Sequence, residues 1–113
     1  MSDRVLEIVS FSLKPGVDEP RFVAAARELN GVLCTMRAFL DRRLVKTGEN
    51  TWMDILEWTD LESAERAASS LHLEPGAQDF CAMIDMGSVA MAHHSVRASA
   101  RTAHEDSARP AAE

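Results

Sequence analysis

Apolar and polar positions along the chain fall into two periodic patterns. Alternation with a period of two, or short clusters of Val, Ile, Phe and Trp, indicates β-strands, and apolar residues at steps of three and four indicate helices. Pro and Gly residues and a TGEN run separate these stretches. The patterns predict strands at residues 4–13, 39–47, 51–58 and 88–96, two main helices that begin after Asp18 and Asp60, and a short extra helix at 77–84.

Both main helices are predicted to be amphipathic. Asp18 and Asp60 stand where N-cap residues belong, and Pro20 fits the first turn of the first helix. Glu62 and Arg66 are spaced to form an ion pair across one turn of the second helix. The predicted apolar stripes are Phe22, Ala26, Leu29, Leu33 and Met36 in the first helix, and Leu61, Ala64, Ala68 and Leu71 in the second.

The order of the elements predicts an α+β fold of the ferredoxin-like type. Strand, helix, strand, strand, helix, strand is the split βαβ arrangement, with a four-stranded antiparallel sheet. Right-handed crossovers place both main helices on one face of that sheet. We assign residues 1–96 to this domain. Residues 97–113, in which the apolar content falls to alanine, are predicted to be a flexible C-terminal tail.

The strands carry large apolar residues on both faces, although helices can cover one face alone. Exposing four or five such side chains, at ~1.5–3 kcal/mol each, would cost roughly 10 kcal/mol. That cost is comparable to the ~5–15 kcal/mol stability of a small domain. We therefore predict a homodimer whose sheets pack face to face. A monomer with one solvated sheet face is the alternative.

The third strand, TWMDILEW, raises a second question because it carries an acid on each face. Asp54 lies on the side of the two tryptophans, and Glu57 lies on the other side. Opposite charges on adjacent strands attract, so we expect one of these acids to pair with Arg42 or Arg43. A catalytic acid in this strand is the alternative.

Composition restricts the classes of partner. The net charge is −6, which argues against a nucleic-acid groove or an anionic membrane surface. The first residues do not read as a signal peptide, and no run approaches the ~20 apolar residues of a membrane span, so we expect a cytoplasmic protein. Cys34 and Cys81 are interpreted as buried or half-buried thiols. Zinc-ligand spacing, GxGxxG, P-loop and GxSxG motifs are absent from the sequence, so we expect no metal and no cofactor.

Aromatic, histidine and methionine residues are the candidates for a small-molecule site. Trp58 and Trp52 share a strand face and could form the flat wall of an aromatic pocket, or could be core. His93 and His94 are adjacent on the last strand, so they point to opposite faces. His94 shares its face with small alanines that leave room, which makes it the candidate general base, with an interface histidine as the alternative. Candidate pocket residues from the short extra helix are Phe80 and Met83, which core packing would explain equally.

The KPGV run after the first strand, and LEW followed by the capped helix TDLESAERAA, resemble the dimeric α/β-barrel superfamily. The LEW feature and the EPGAQDFCAMID segment after the second helix are similar to the antibiotic-biosynthesis monooxygenase branch. The first strand with KPGV is also similar to the stress-responsive dimeric barrel proteins. The resemblance covers residues 4–96.

The resemblance implies a homodimer with a pocket between sheet and helices in each subunit. In the cofactor-free monooxygenases of this branch, a tryptophan at the position of Trp58 orients a polycyclic phenol for reaction with O₂. Those monooxygenases also use an asparagine and an arginine near the tryptophan; the first strand here has Ser10 and Ser12 and no asparagine, and the arginines at hand are Arg42 and Arg43 of the second strand. In haem-degrading relatives a helical histidine binds iron with help from a strand-one asparagine, and His72 is the one helical histidine that could correspond to that ligand. Two alternatives are a non-catalytic stress-responsive ligand-binding barrel and an isomerase or cyclase on the same scaffold. The implied ligand is an aromatic or polyketide-like molecule.

Overall fold

The computed structural model describes residues 3–102 of the chain. All the predicted strands and helices are present, and most of their ends lie within two residues of the predicted positions. Residues 97–102 lie outside helices and strands, residues 103–113 lie outside the described residues, and the domain–tail division stays a prediction. The elements are β1 (Val5–Ser12), α1 (Glu19–Leu33), β2 (Phe39–Lys46), β3 (Thr51–Trp58), α2 (Leu61–Ser70), α3 (Pro75–Ala82) and β4 (Ala90–Ser95), with 3₁₀ turns at Leu71–Leu73 and Met86–Ser88.

The four strands form one antiparallel sheet in the order β2-β3-β1-β4. This confirms the predicted α+β, ferredoxin-like class, and the polar strand β2 lies at an edge of the sheet. A register shift between Phe39 and Asp41 interrupts the pairing of β2 with β3. The turn after β1 contains Gly16 at φ 81°, a backbone conformation that glycine adopts without the steric penalty of a Cβ.

One face of the sheet is covered by the helices, and we call it the covered face. On β3 the residues of this face are all buried, whereas those between them are half-buried. The strand register places the matching residues of the other strands on the same face. The covered face consists of Phe39, Arg42, Leu44 and Lys46 of β2; Trp52, Asp54, Leu56 and Trp58 of β3; Val5, Glu7, Val9 and Phe11 of β1; and Met91, His93 and Ser95 of β4. The opposite surface is the open face.

Aromatic rings hold the helices to the covered face. Phe22 of α1 stacks on Phe80 of α3 with ring centroids 5.1 Å apart, and meets Trp52 edge-on at 5.1 Å. Phe11 of β1 contacts both phenylalanines edge-on. These rings join both helices to β1 and β3 in one core.

The predicted apolar stripe of α2 was partly wrong. Ala64 and Ala67 are the buried residues of this helix, whereas Leu61 is 45% exposed. The small alanines allow α2 to approach β1 and β3 closely, and this contact, rather than the large leucine at the first turn, sets the rotation of the helix. The predicted Glu62–Arg66 pair is present at 2.9 Å.

The buried acid of β3 is paired with an arginine, as predicted. The Arg42 guanidinium donates two hydrogen bonds to Asp54, from Nε at 2.8 Å and from Nη2 at 2.9 Å. Its Nη1 donates to the carbonyl of Ala26 and to the side chain of Asn30, both in α1. The two charged side chains are 5% and 7% exposed. The pair therefore links the sheet to α1, and all three guanidinium nitrogens donate hydrogen bonds.

We expect Arg42→Met to lower the free energy of unfolding by about 3–5 kcal/mol, because it leaves a buried carboxylate without its partner. Urea unfolding monitored by circular dichroism measures the change. Arg66→Met, which breaks an exposed pair, is the matched control and is expected to cost less than about 1 kcal/mol. Equal losses in the two variants would contradict this account of the Arg42–Asp54 pair.

Candidate functional site

A second buried acid lies on the covered face, and its surroundings differ from those of Asp54. Glu7 of β1 is directly opposite Leu56 on one neighbouring strand and His93 on the other. The Trp58 indole Nε1 donates a hydrogen bond of 2.8 Å to the Glu7 Oε1. The His93 Nε2 lies 3.6 Å from the same oxygen, too far for a hydrogen bond. We call these three residues the Glu7 cluster.

The side chain of Glu7 is largely buried and lacks a permanently charged partner within residues 3–102. Its side chain is 7% exposed, and that of His93 is 17% exposed. Burial raises the pKa of Glu7 above its ordinary value; the neighbouring His93 and the Trp58 hydrogen bond offset part of this effect, and the charge of Asp54 adds to it. Glu7 therefore retains a proton to higher pH than an exposed glutamate.

A groove of about 590 Å³ lies beside the cluster, between α2 and the segment that joins α1 to β2. Trp58 forms part of its wall, and the edge of Phe39 packs against the same indole at 5.6 Å between centroids. Trp58 thus connects the groove to Glu7. The groove is lined by Met36, Arg37, Ala38, Trp58, Thr59, Asp60, Ser63, Arg66, Ala67 and Ser70.

The carboxylate of Asp60 in this groove already accepts hydrogen bonds from its neighbours in the chain. It accepts hydrogen bonds from the Ser63 amide at 2.9 Å, from the Ser63 hydroxyl at 2.9 Å and from the Thr59 hydroxyl at 2.8 Å. These bonds cap α2 and hold the pKa of Asp60 below its usual range. Of the two guanidinium groups that line the groove, Arg66 is paired with Glu62 at 2.9 Å, which leaves Arg37 as the cation available to a ligand.

The structure separates the two residues that the sequence suggested as catalytic. Trp58 lies on the covered face, whereas His94 is paired with Leu6 on the open face and is exposed. The two side chains therefore do not share a pocket within one chain. The histidine that lies beside Trp58 is His93. A role for His94 stays a prediction.

The other predicted ligand contacts do not line the groove. Phe80 is 5% exposed in the aromatic core, and the Arg42 guanidinium lies 5.2 Å from its ring centre. Met83 is partly buried against the same core. Trp52 lines a smaller cleft of about 220 Å³ beside α1, together with Arg42 and Asn30. Ligand binding by these three residues stays a prediction.

Glu7 and His93 were missed by the sequence analysis, although the sequence contains a signal for Glu7. In the first strand it alternates in step with Val5, Val9 and Phe11, so a carboxyl group was visible on an apolar face. His93 gave a weaker signal, because its face depends on the register of the last strand against β1. The thiol prediction was wrong for Cys34, which is exposed after the end of α1, whereas Cys81 is half-buried.

Within residues 3–102, no group of three or more His, Cys, Asp or Glu side chains is arranged to hold a metal ion. In that part of the chain, every helix is too short or too polar to cross a bilayer.

No protein-family model and no curated protein matches the chain. The structure does resemble solved structures. It matches SnoaB, a cofactor-independent oxygenase from Streptomyces nogalater, with a TM-score of 0.69, 17% identity, and coverage of 87% of this chain and 97% of SnoaB. Candidate antibiotic biosynthesis monooxygenases from Caulobacter crescentus (TM-score 0.69, 7% identity, coverage 86% and 92%) and Bordetella bronchiseptica (0.64, 14%, 86% and 100%) also match. The predicted resemblance to the barrel superfamily is confirmed at the level of the fold.

We expect Glu7→Gln to raise the free energy of unfolding at neutral pH. Because the pKa of Glu7 is raised on folding, the folded state binds more protons than the unfolded state above the unfolded-state pKa, and wild-type stability falls as the pH rises through the folded-state pKa. Glutamine keeps an acceptor for the Trp58 N–H and removes this penalty. Urea unfolding at several pH values should show the gain shrinking toward acidic pH; a loss of stability at neutral pH would contradict a raised pKa of Glu7.

Proposed function

We propose that this protein is a homodimer that binds an aromatic or polyketide-like small molecule in the Trp58 groove and oxidises it with O₂ without a cofactor. The observation that carries the proposal is the groove itself, which has an indole wall fixed from behind by a buried carboxyl group. The structural similarity to SnoaB, a cofactor-independent oxygenase, supports the proposed reaction class.

The size and lining of the groove suit a planar ligand of several rings. Its volume of about 590 Å³ lies within the range of roughly 300–1,000 Å³ typical of small-molecule sites. Met36, Ala38 and Ala67 supply apolar contact, together with the small part of the nearly buried Trp58 indole that reaches the groove. Arg37 would bind a phenolate or carboxylate group at the rim.

The proposed reaction balances without a separate redox group. An anthrone-like substrate carries a CH₂ group between two aromatic rings, and loss of a proton gives an electron-rich enolate. O₂ takes electrons from this enolate; one oxygen atom becomes the new carbonyl of the quinone, and the other leaves as water with the two CH₂ hydrogens. The protein would bind and orient the substrate for this reaction.

A second copy of the chain is the proposed cover of the open face. Ile8 of β1 is directly opposite Ile55 of β3 at the centre of this face, and Leu6 and Met53 flank them. All four are half-buried within a single chain, and Val45 nearby is 38% exposed. A continuous apolar strip of this kind is typical of an interface rather than of a solvated sheet. In such a dimer His94, which pairs with Leu6 on the open face, would lie at the subunit interface.

A proton-transfer enzyme of the isomerase or cyclase type is the second proposed function. The buried Glu7 beside His93 favours it, because a carboxyl group with a raised pKa next to an imidazole suits acid–base chemistry. This reaction would not consume O₂. A non-catalytic, stress-responsive ligand-binding barrel would bind the same ligands without turnover.

We expect the protein to oxidise dithranol, a dihydroxyanthrone, with uptake of O₂ measured by an oxygen electrode. Trp58→Phe should slow turnover at least about tenfold, corresponding to ~1.4 kcal/mol of transition-state stabilisation, because it removes the larger ring and the bond to Glu7. Loss of turnover in Trp52→Phe instead would locate the ligand in the smaller cleft. Comparison of His93→Gln with His94→Gln shows which face of β4 the reaction uses. Absence of both O₂ uptake and dithranol binding would refute the proposed function.

We expect analytical ultracentrifugation at micromolar concentration to give twice the mass of one chain. Ile55→Arg should weaken association at least about tenfold, because it places an unpaired charge at the centre of the interface. Ala24→Arg, on the exposed side of α1, is the matched control and should remain dimeric. A folded, monomeric wild type would refute the proposed assembly.

A further inference from the structure

The Glu7 cluster raises a question that packing alone does not answer. Asp54, on the same face, is held by a charged arginine through two short hydrogen bonds. Glu7 accepts a hydrogen bond from a neutral indole N–H, and its nearest basic group is the His93 imidazole at 3.6 Å. A carboxyl group that served stability alone would be expected to have the partners that Asp54 has.

The geometry connects Glu7 to the ligand groove through one side chain. Trp58 is 2% exposed, contributes to the wall of the groove and donates its Nε1–H to Glu7. An indole that rotates about its χ angles would change the shape of the wall, and the bond to Glu7 selects one orientation. Phe39, which packs edge-on against the same ring, limits its movement from the side of β2.

From these contacts we infer that Glu7 and His93 are positioning residues of the ligand site. Glu7 holds the Trp58 indole as the wall of the groove, and His93, 3.6 Å from the same oxygen, influences the charge on Glu7, so that ligand binding in the groove is linked to the protonation of Glu7. The inference rests on the proposed function in one respect, namely that the groove beside Trp58 is where the aromatic ligand binds.

The direction of the linkage follows from the charges around Glu7. A carboxylate accepts a stronger hydrogen bond from the indole than a neutral carboxyl group does. The charged and titratable groups that face Glu7 are His93 from β4 and Asp54 from β3, and Asp54 is paired with Arg42 of β2. The buried residues of α2, which packs over this region, are the uncharged Ala64 and Ala67. The groove should therefore be best ordered, and bind most tightly, at the alkaline side of the transition.

The binding experiment uses 2-naphthol, whose hydroxyl group keeps its proton between pH 5 and 8, with affinities from isothermal titration calorimetry. For the wild type we expect about a fivefold gain in affinity from pH 5 to pH 8. Glu7→Gln keeps a neutral acceptor, so its affinity should stay near the wild-type acidic limit at every pH. Glu7→Leu removes the acceptor and should bind at least tenfold more weakly than the wild type at pH 8.

Variants of His93 and of the exposed His72 complete the set of binding measurements. Because His93 lowers the pKa of Glu7, His93→Gln should move the midpoint of the pH dependence to higher pH. His72→Gln, at an exposed site in the 3₁₀ turn after α2, should behave as the wild type. Circular dichroism of each variant shows whether the fold is kept. If Glu7→Leu fails to fold, the pH-independent affinity expected of Glu7→Gln remains the deciding result.

A ligand-free measurement separates this inference from the proposed function. The chain has two tryptophans, so Trp52→Phe leaves Trp58 as the single fluorophore. Its emission should titrate with pH, and Glu7→Gln in the same background should abolish that titration. A flat emission profile, or one that Glu7→Gln leaves unchanged, would overturn the inference even if 2-naphthol binds. Titrating emission with no naphthol binding would support the Glu7–Trp58 contact and refute the proposed ligand.

Discussion

Helices α1, α2 and α3 lie on one side of a four-stranded sheet, and strand geometry then turns every second side chain of the central strands β1 and β3 toward the helices. Acidic side chains on this face are buried along with the apolar ones. Asp54 and Glu7 are buried because their neighbours at the same parity, Trp52, Trp58, Val5 and Phe11, form the core. The remaining features of the site follow from how the protein accommodates these two carboxyl groups.

Burying a carboxyl group costs free energy of desolvation, and the protein offsets this cost differently at Asp54 and at Glu7. Asp54 is paired with Arg42, which also binds the backbone of α1, so this charge contributes to the connection between layers. Glu7 is left with a neutral donor and a titratable neighbour, an arrangement that costs stability at neutral pH. Proteins retain such under-stabilised groups mainly where function uses them. The hydrogen bond from Trp58, a residue of the groove wall, places Glu7 beside the proposed ligand site.

Most of the fold could be predicted from the sequence because its signals are local. Strand periodicity, the Asp18 and Asp60 caps and the KPGV and TGEN runs indicated the elements. The sequence also predicted that Asp54 or Glu57 pairs with Arg42 or Arg43, and the structure shows that Asp54 pairs with Arg42. The site was harder to predict because it depends on long-range placement. The face of His93 is set by the register of β4 against β1, after a 3₁₀ turn that the sequence did not signal clearly. The alanines beside His94 suggested room for a ligand, but they lie on the open face. The groove forms where the segment after α1 approaches α2, and no local pattern specifies that distance.

The most direct test of the central claim, that Glu7 holds Trp58 by a hydrogen bond of changing strength, is the pH dependence of the two indole N–H signals in a ¹⁵N–¹H NMR spectrum. Trp52 Nε1 is buried and has no hydrogen-bond partner among residues 3–102, so it provides an internal reference. The account predicts that the Trp58 signal lies downfield and moves through a transition above the ordinary pKa of a glutamate, while the Trp52 signal moves little. Two indole signals that both stay fixed between pH 4 and pH 8 would contradict it.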